Sequence, residues 1–276
     1  MAAPSLSLPP SPRQARWVVG GAIVLMYHGI GAEGDKRDRY RVSEENFIRQ
    51  MDWLRKNNFE MVDPLDLAKG FDSQRSASGK RKALLTFDDG LISDYERALP
   101  VLRERGMRAA FFLTTSLIGQ PGYVSRRQAR ELAEAGMSIG SHGERHASYT
   151  RLDPARARRE LERSRMELEE ITGGAVLGFS APYGFLNRRL ERSAHEAGFR
   201  WIFSSLPWAA KDAGRSIPRL AVYGETSLEE FAGLARGEAR VLIPRLTRHA
   251  ALYCPKQILL RLRPGRLGVE VYEEQA

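Results

Sequence analysis

Two histidines and two adjacent carboxylates are the residues of this sequence whose types and spacing best suit chemistry. His142 and His146 are four residues apart, so on a helix or a compact turn they face the same way and can hold one metal ion. Asp88 and Asp89 are neighbours in an Asp-Asp-Gly segment. Two imidazoles and one carboxylate are a common catalytic zinc set that leaves one position on the ion open. The second carboxylate is then free to act as a general base, which predicts metal-assisted hydrolysis.

Each pair alone has a simpler interpretation. Histidines four residues apart are often surface residues, and Asp-Asp-Gly is often a polar turn. The metal site becomes the better interpretation because both pairs follow an apolar run that predicts a strand. The sequence contains no phosphate-binding glycine-rich loop, no Gly-x-Gly-x-x-Gly motif and no nucleophilic Gly-x-Ser-x-Gly motif.

Alternating strands and helices are predicted to position these residues. Apolar runs predict buried strands at 22–27, 83–87, 109–113, 137–140, 176–179, 201–204 and 220–223. Predicted helices begin near Ser43, Tyr95, Ser125, Pro154, Arg188 and Ser227. This alternation predicts a parallel sheet, and about seven strands fit an open sheet or a barrel. Since the carboxyl ends of such strands share one rim, we expect the polar residues that follow them to converge there.

The composition limits the class of protein. The chain has 276 residues, of which 42% are hydrophobic, so a large core is expected and global disorder is excluded. The net charge is +9, and residues 236–267 hold eight basic residues against one acidic residue. The remainder is close to balanced, which argues against nucleic acid as a partner. The basic segment is expected either to contact an anionic membrane surface or to pack on the barrel as a helix with its arginines outward.

Few features of the sequence indicate a cellular location. No run of about 18 apolar residues predicts a transmembrane helix. Residues 17–27 have the apolar character of a signal peptide, but no small-x-small cleavage site follows them. Cys254 is the single cysteine, so an intrachain disulfide is excluded. We expect a cytoplasmic protein, with peripheral membrane association and export as alternatives.

Three short motifs occur in order behind three of the predicted strands. They are Thr86-Phe87-Asp88-Asp89-Gly90, Ser141-His142-Gly143-Glu144-Arg145-His146 and Ala181-Pro182-Tyr183-Gly184. Together they resemble the first three motifs of the polysaccharide deacetylase family, also called the NodB homology domain or carbohydrate esterase family 4. The resemblance spans roughly residues 20–235. It implies a single α/β domain, a distorted (β/α) barrel of about seven parallel strands, and metal-dependent removal of N- or O-acetyl groups from a sugar.

The resemblance also implies roles for individual residues. Asp88 would be the general base, and the backbone N–H of Tyr183 would help to stabilise the oxyanion. The metal ligands would be Asp89, His142 and His146. The metal would be Zn²⁺, with Co²⁺ or Ni²⁺ as alternatives. Substrate contacts are expected from Pro182, Tyr183 and Tyr27. Further aromatic residues that could stack on a sugar ring include Tyr123, Tyr149, Trp201, Trp208 and Tyr223, although a core or surface role is commoner for each.

The sequence departs from the family pattern in three respects. Many members have an arginine that orients the catalytic aspartate at the position of Ser180, so Asp88 must either be held by another group or have a differently tuned pKa. Gly143 and Ala147 replace a usual Thr or Ser and a common Pro. No apolar strand that ends in a histidine acid is found near the C terminus. His28 ends such a strand at the start of the barrel, which resembles the circularly permuted branch that acts on exopolysaccharide N-acetylglucosamine.

These observations predict three segments: a disordered segment at 1–16, a deacetylase barrel at 17–237 and a basic extension at 238–276. The expected substrate is an acetylated sugar or polysaccharide of the N-acetylglucosamine type, in cell-surface or exopolysaccharide metabolism. His28 is expected to protonate the leaving amine, with a structural role near the metal as the alternative. Two other functions stay open: a weak or inactive carbohydrate-binding homologue, and a membrane-surface enzyme that acts on lipid-linked sugars.

Overall fold

The computed structural model describes residues 18–19, 22–31, 38–64, 79–205 and 216–248. The predicted disordered segment at 1–16 lies outside these residues. Most of the predicted basic extension, from residue 249 onward, also lies outside them.

Short strands and longer helices alternate along the described chain. The strands are β1 (Val18–Val19), β2 (Ala22–Tyr27), β3 (Ile30–Gly31), β4 (Val42–Ser43), β5 (Phe59–Met61), β6 (Arg81–Phe87), β7 (Ala110–Leu113), β8 (Ser138–Ser141), β9 (Gly178–Ser180), β10 (Trp201–Phe203), β11 (Ser216–Ile217) and β12 (Leu220–Ala221). The helices are α1 (Glu44–Lys56), α2 (Leu99–Glu104), α3 (Arg126–Glu134), α4 (Pro154–Thr172), α5 (Arg188–Glu196), α6 (Leu228–Arg236) and α7 (239–248). A π-helical turn, Asp94–Ala98, leads directly into α2.

Parallel strands form the barrel wall in the order β2, β6, β7, β8, β9, β10 and β11. The stretch 216–221 joins the two ends of this sheet, because β11 pairs with β10 and β12 pairs with β2. Counted as one strand, this stretch is the seventh of the wall. The predicted distorted (β/α) barrel of about seven parallel strands is confirmed. The short strands β1 and β5 extend the sheet beside β2 and β6.

Strand alternation separates the barrel interior from the layer beneath the helices. Along β2, Ala22 and Val24 belong to a small buried cluster that fills the barrel. Ile23, Leu25 and Tyr27 belong to the larger cluster that packs under the helices. The side of the strand on which a residue falls therefore decides whether its side chain can reach the barrel interior.

The helix starts follow from capping residues that the sequence shows. Ser43, Ser125 and Ser227 each accept a backbone N–H from the residue three positions later. Ser125 and Gln128 form the predicted capping box at the start of α3. Among the described residues, no helix combines the length and apolar character needed to cross a bilayer.

The chain after Gly237 follows one of the two expectations for the basic segment, a helix that packs on the barrel, although Pro244 interrupts the sequence pattern. The structure has helix α7 at 239–248, which includes Pro244. Leu242 and Leu246, four residues apart, are buried. Arg245 binds the Glu230 carboxylate at 2.7 Å and the Ala221 carbonyl at 2.6 Å. These contacts fix the first part of the basic segment against the barrel, with Arg245 turned inward.

Candidate active site

One cavity opens at the rim where the barrel strands end. Its volume is about 670 Å³, which lies within the range of about 300–1,000 Å³ that is usual for small-molecule sites. Its wall includes His28, Asp88, Asp89, His142 and His146. The convergence that the strand pattern predicts for these five residues is therefore observed.

Asp89 and the two histidines form a compact cluster of possible metal ligands. Asp89 Oδ1 lies 3.3 Å from His142 Nε2 and 3.4 Å from His146 Nε2. His142 Nδ1 lies 2.8 Å from the carbonyl oxygen of Ser180, which can only accept a hydrogen bond. Nδ1 therefore carries a proton, so Nε2, which faces Asp89, is the ring nitrogen that can bind a cation. Asp89 Oδ1 is buried, and no described group donates a hydrogen bond to it. A divalent cation fits this arrangement, and two nitrogens with one oxygen are a donor set that suits zinc.

The charges around the cluster also favour a cation. Burial raises the pKa of Asp89, but contact with His142 and the charge of His28 hold this pKa well below its usual value. Burial lowers the pKa of His146 to about 4, and the neighbouring His142 adds to this effect. His146 is therefore neutral at pH 7 and has a free lone pair. Burial lowers the pKa of His142, but Asp88 and Asp89 together raise it above its usual value. The negative charge that causes this rise is the charge that a cation would neutralise.

A left-handed turn explains why adjacent aspartates point in different directions. Asp88 continues the inward face of β6, and its N–H bonds the carbonyl of Tyr27 on β2. A straight strand would turn Asp89 toward the helices. Instead Asp89 has φ +78°, and Gly90 has φ +78° as well. This conformation costs about 1–3 kcal/mol for a residue that is not glycine, and here it brings the Asp89 carboxylate to the histidines.

Arg219 holds Asp88 from inside the barrel. Its Nη1 donates to Asp88 Oδ1 at 2.7 Å, and its Nη2 donates to Asp88 Oδ2 at 2.7 Å. Nη2 also donates to Ser180 Oγ at 2.8 Å, and Nε donates to the Ser204 carbonyl at 3.1 Å. Burial raises the pKa of Asp88, but the charge of Arg219 and its hydrogen bonds hold this pKa below its usual value. Asp88 is therefore ionised and fixed in orientation.

Arg219 is the functional residue that sequence reasoning missed. Ser180 predicts either that another group holds Asp88 or that the pKa of Asp88 is tuned differently, and Arg219 is a group that holds it. The signal in the sequence is an arginine enclosed by apolar residues in Ile217-Pro218-Arg219-Leu220, directly before the strand predicted at 220–223. An unpaired arginine is rarely buried, so an arginine inside such a run indicates an internal carboxylate partner.

His28 and Tyr183 lie on the cavity wall as predicted. The His28 ring centroid is 4.6 Å from that of Tyr40, and His28 Nδ1 is buried with no hydrogen-bond partner among the described residues. Tyr183 has φ +60° and donates its hydroxyl to the His146 carbonyl at 3.2 Å. Its ring meets the edge of the His146 ring at 4.5 Å. The roles of His28 as acid and of the Tyr183 N–H as oxyanion donor stay predictions.

Two of the expected substrate contacts are wrong. Tyr27 is fully buried, stacks on Phe87 and donates its hydroxyl to Gln50 at 2.8 Å. Side chains alternate between the two sides of β2, and Tyr27 falls on the side that faces the helices. Its neighbour Met26 falls on the other side and lines the cavity. Pro182 is buried and does not line the cavity. Of the other aromatic residues considered, Tyr149 and Trp201 are buried, Tyr223 lines the cavity, and Trp208 lies outside the described residues.

The loop that carries both histidines is held by Tyr149 and by helix α4. The Tyr149 hydroxyl accepts the Glu144 N–H at 2.8 Å. Gly143 has φ +90°, and a Cβ at this position would lie 2.6 Å from that hydroxyl. This close approach explains why Gly143 replaces the larger residue of the family pattern. From α4, the buried carboxylate of Glu160 binds Arg145, which lies between the two histidines.

Comparisons with known proteins agree with this fold. The family model for polysaccharide deacetylases matches residues 75–202. The protein YxkH of Bacillus subtilis (strain 168) is 29% identical over 192 residues, which cover 69% of this chain and 67% of YxkH. A poly-beta-1,6-N-acetyl-D-glucosamine N-deacetylase of Staphylococcus epidermidis is 23% identical over 252 residues, which cover 80% of this chain and 86% of that protein. The structure of the Streptococcus pyogenes deacetylase PplD in complex with acetate has a TM-score of 0.70 at 20% identity, and the match covers 77% of this chain and 96% of PplD. At this identity, the structural likeness supports the barrel fold alone.

Proposed function

We propose that this chain is a metal-dependent hydrolase that removes N-acetyl groups from a saccharide of the N-acetylglucosamine type, because the family model for polysaccharide deacetylases matches residues 75–202. The Staphylococcus epidermidis relative, named for this reaction, supports the choice of substrate because the match covers 80% of this chain. The name of that relative also motivates a role in cell-surface or exopolysaccharide metabolism. The cytoplasmic location and the membrane association of the basic segment stay predictions.

The main support for the proposal is that the adjacent carboxylates of Asp88 and Asp89 have different surroundings. Asp88 is paired with Arg219, whereas Asp89 faces two imidazole nitrogens. Neighbouring acid groups with different environments are typical of a site in which each has its own task. We assign Asp89, with His142 and His146, to hold Zn²⁺. Co²⁺ and Ni²⁺ are the alternatives. When bound, the ion would supply Lewis-acid chemistry, which polarises a carbonyl group and makes water more acidic.

The remaining residues supply the proton transfers. Asp88, held ionised by Arg219, accepts a proton from the water that attacks the acetamide carbon. The N–H of Tyr183 donates a hydrogen bond to the oxygen on which negative charge develops. His28 then gives a proton to the departing nitrogen, so the C–N bond breaks and acetate and the free amine form. All three residues line the same cavity.

An inactive carbohydrate-binding homologue is the second candidate function. Ser180 and the missing late histidine motivate it, because both changes remove groups that the family uses. The geometry favours the enzyme, because Arg219 occupies the place beside Asp88 and Ser180, and His28 lies on the cavity wall.

Acetate release from N-acetylglucosamine oligomers with added zinc tests the proposal. We expect Asp88→Asn to lower kcat by about 10²–10⁴-fold, the usual contribution of a positioned general base. Asp52→Asn is the matched control, because Asp52 is a carboxylate paired with an arginine, Arg105, outside the cavity. Release of no acetate from any acetylated saccharide by the zinc-loaded wild type would favour the inactive homologue.

A further inference from the structure

One side of helix α4 faces residues 141–146 (the histidine loop), which carry both histidines of the metal cluster. Glu160 and Ser164 are buried on this side, although a carboxylate and a hydroxyl gain nothing from an apolar core. They lie four positions apart, so they are neighbours on the helix surface, and Arg163 lies beside them. Buried polar groups need polar partners, and all three residues find partners in the histidine loop.

Two of these contacts bind the start and the middle of the histidine loop. Ser164 Oγ lies 2.8 Å from Ser141 Oγ, and Ser141 Oγ also accepts the Gly143 N–H at 2.9 Å. Arg163 Nη2 donates to Glu144 Oε2 at 2.7 Å. The Arg163 side chain is 60% exposed, so this ion pair adds little to the stability of the loop.

The third contact is the ion pair between the buried carboxylate of Glu160 and Arg145. The Glu160 side chain is 2% exposed, and its Oε1 accepts hydrogen bonds from Arg145 Nη2 and, at 3.1 Å, from Arg156 Nε. Arg145 directly precedes His146 in the chain. A buried carboxylate is costly without a cation, so the place of Glu160 in α4 determines where the Arg145 guanidinium lies. The backbone beside His146 is restricted accordingly.

The histidine loop needs such contacts because its own backbone does not fix it. Residues 142–148 form neither helix nor strand. Two imidazoles bind one ion well only when both are held within reach of it, and a loop that became ordered on metal binding would lose conformational entropy at that step. Groups that lie behind the ligands and hold them in place therefore tune the affinity for the metal.

We propose that Glu160 is a positioning residue for the metal site. Through Arg145 it orders the histidine loop, so that His142 and His146 are placed before an ion binds. The inference rests on the metal assignment of the proposed function and deepens it, because it makes a helix with no residue in the cavity wall a determinant of metal affinity.

The zinc affinity of the metal-free protein, measured by competition with a chromogenic chelator, tests the proposal. Glu160→Gln keeps the size of the side chain but removes its charge, and it should weaken zinc binding about 10–100-fold, the usual effect of a change behind a metal ligand. Glu162→Gln is the matched control, because Glu162 binds Arg158 at 2.7 Å on the same helix and makes no described contact with the histidine loop. An unchanged zinc Kd in Glu160→Gln would overturn the inference.

A second control separates positioning from general stability. Glu169 binds Arg165 on α4 at 2.8 Å and accepts the Val176 N–H at 3.1 Å, outside the histidine loop. Glu169→Gln should therefore lower Tm and leave the zinc Kd unchanged. In the metal-free proteins, amide hydrogens of residues 141–147 should exchange faster in Glu160→Gln than in the wild type or in Glu169→Gln. Equal losses of zinc affinity in the two variants would contradict the role of Glu160, because both would then act through stability.

The ion pair itself is tested by a double-variant cycle. Arg145→Gln should weaken zinc binding about as much as Glu160→Gln does, and the protein with both changes should bind no more weakly than either, because both act through one contact. Losses that multiply would overturn the inference, because Glu160 would then not act through Arg145. If the wild type bound no zinc, the metal assignment of the proposed function would fail, and hydrogen exchange of residues 141–147 would still decide whether Glu160 orders the loop.

Discussion

Replacement of Arg219 by methionine is the perturbation whose effect follows most directly from the structure. The guanidinium and the Asp88 carboxylate form a two-point contact inside the barrel, where their side chains are 0% and 2% exposed. Methionine keeps an apolar stem of similar length but removes the charge and every donor. Asp88 is then left in a buried position without its main partner.

The size of the effect comes from burial. Removal of one partner from a buried ion pair costs about 3–5 kcal/mol if the other partner stays charged. Asp88 avoids much of this cost by taking up a proton, because burial alone raises the pKa of a carboxyl group by up to about 3–5 units. In the wild type the pKa of Asp88 is below its usual value, so the base is ionised throughout the neutral range. In the variant most of Asp88 should be protonated at pH 7, and kcat/KM there should fall by up to about 10²-fold, because each unit by which the pKa of the base exceeds the pH is a factor of ten in the ionised fraction.

The pH dependence of acetate release between pH 5 and 10 is the assay. Activity needs the ionised base, so the acid limb of the profile should move to higher pH in Arg219→Met, and part of the rate should return above pH 9. Arg126→Met is the matched control, because Arg126 is half exposed and pairs with Glu167 on the surface. Addition of Ser180→Arg to Arg219→Met should restore part of the rate at pH 7, because Ser180 already lies 3.2 Å from Asp88 Oδ2. A variant with wild-type rate and acid limb would refute the assignment of Arg219.

Three further predictions follow from the same geometry. His28→Ala should lower kcat for an acetamido sugar about 100-fold but affect 4-nitrophenyl acetate far less, because that leaving group needs no proton; equal losses would remove the acid role. Tyr149→Phe removes the acceptor of the Glu144 N–H, so the free energy of unfolding should fall by about 1–3 kcal/mol and zinc affinity should fall about tenfold. An unchanged zinc Kd would contradict the role of Tyr149 in anchoring the loop. Gly143→Ala should lower Tm more than Gly136→Ala. Both glycines have positive φ, but of the two only Gly143 would place a Cβ within 4 Å of a side chain. Equal Tm values for the two variants would show that the close approach is unimportant.

The residues that end strands were predictable from the sequence. His28, Asp88, His142 and the turn at Tyr183 each follow an apolar run, and parallel strands bring their carboxyl ends together whatever the details of packing. The alternation of strands and helices also predicts a parallel sheet, and the resemblance to the family favours a barrel over an open sheet. Asp89 could be placed near the histidines only through the resemblance to the family, because the left-handed turn at Asp89 leaves no signal in hydrophobic periodicity.

The wrong and missed predictions concern single side chains whose position depends on local details of the chain path. Tyr27 was expected to contact substrate. Because side chains alternate along β2, Tyr27 faces the helices and its neighbour Met26 lines the cavity. Arg219 lies beside two-residue strands that are too short to show a period. Tyr149 anchors the histidine loop through its hydroxyl, a contact that depends on the path of the chain between Gly143 and Tyr149. Helix α7 itself was one of the two expectations for the basic segment, but Arg245 faces inward, where the arginines were expected to face outward.

The separate tasks of Asp88 and Asp89 can be tested by one titration. Zinc is added to chelator-treated wild type, Asp88→Asn and Asp89→Asn, and bound metal and acetate release are measured in the same samples. The wild type should bind one equivalent and regain acetate release with it, Asp88→Asn should bind one equivalent and stay inactive, and Asp89→Asn should lose tight binding. Tight zinc binding by Asp89→Asn, loss of zinc from Asp88→Asn, or full acetate release by the metal-free wild type would contradict the account.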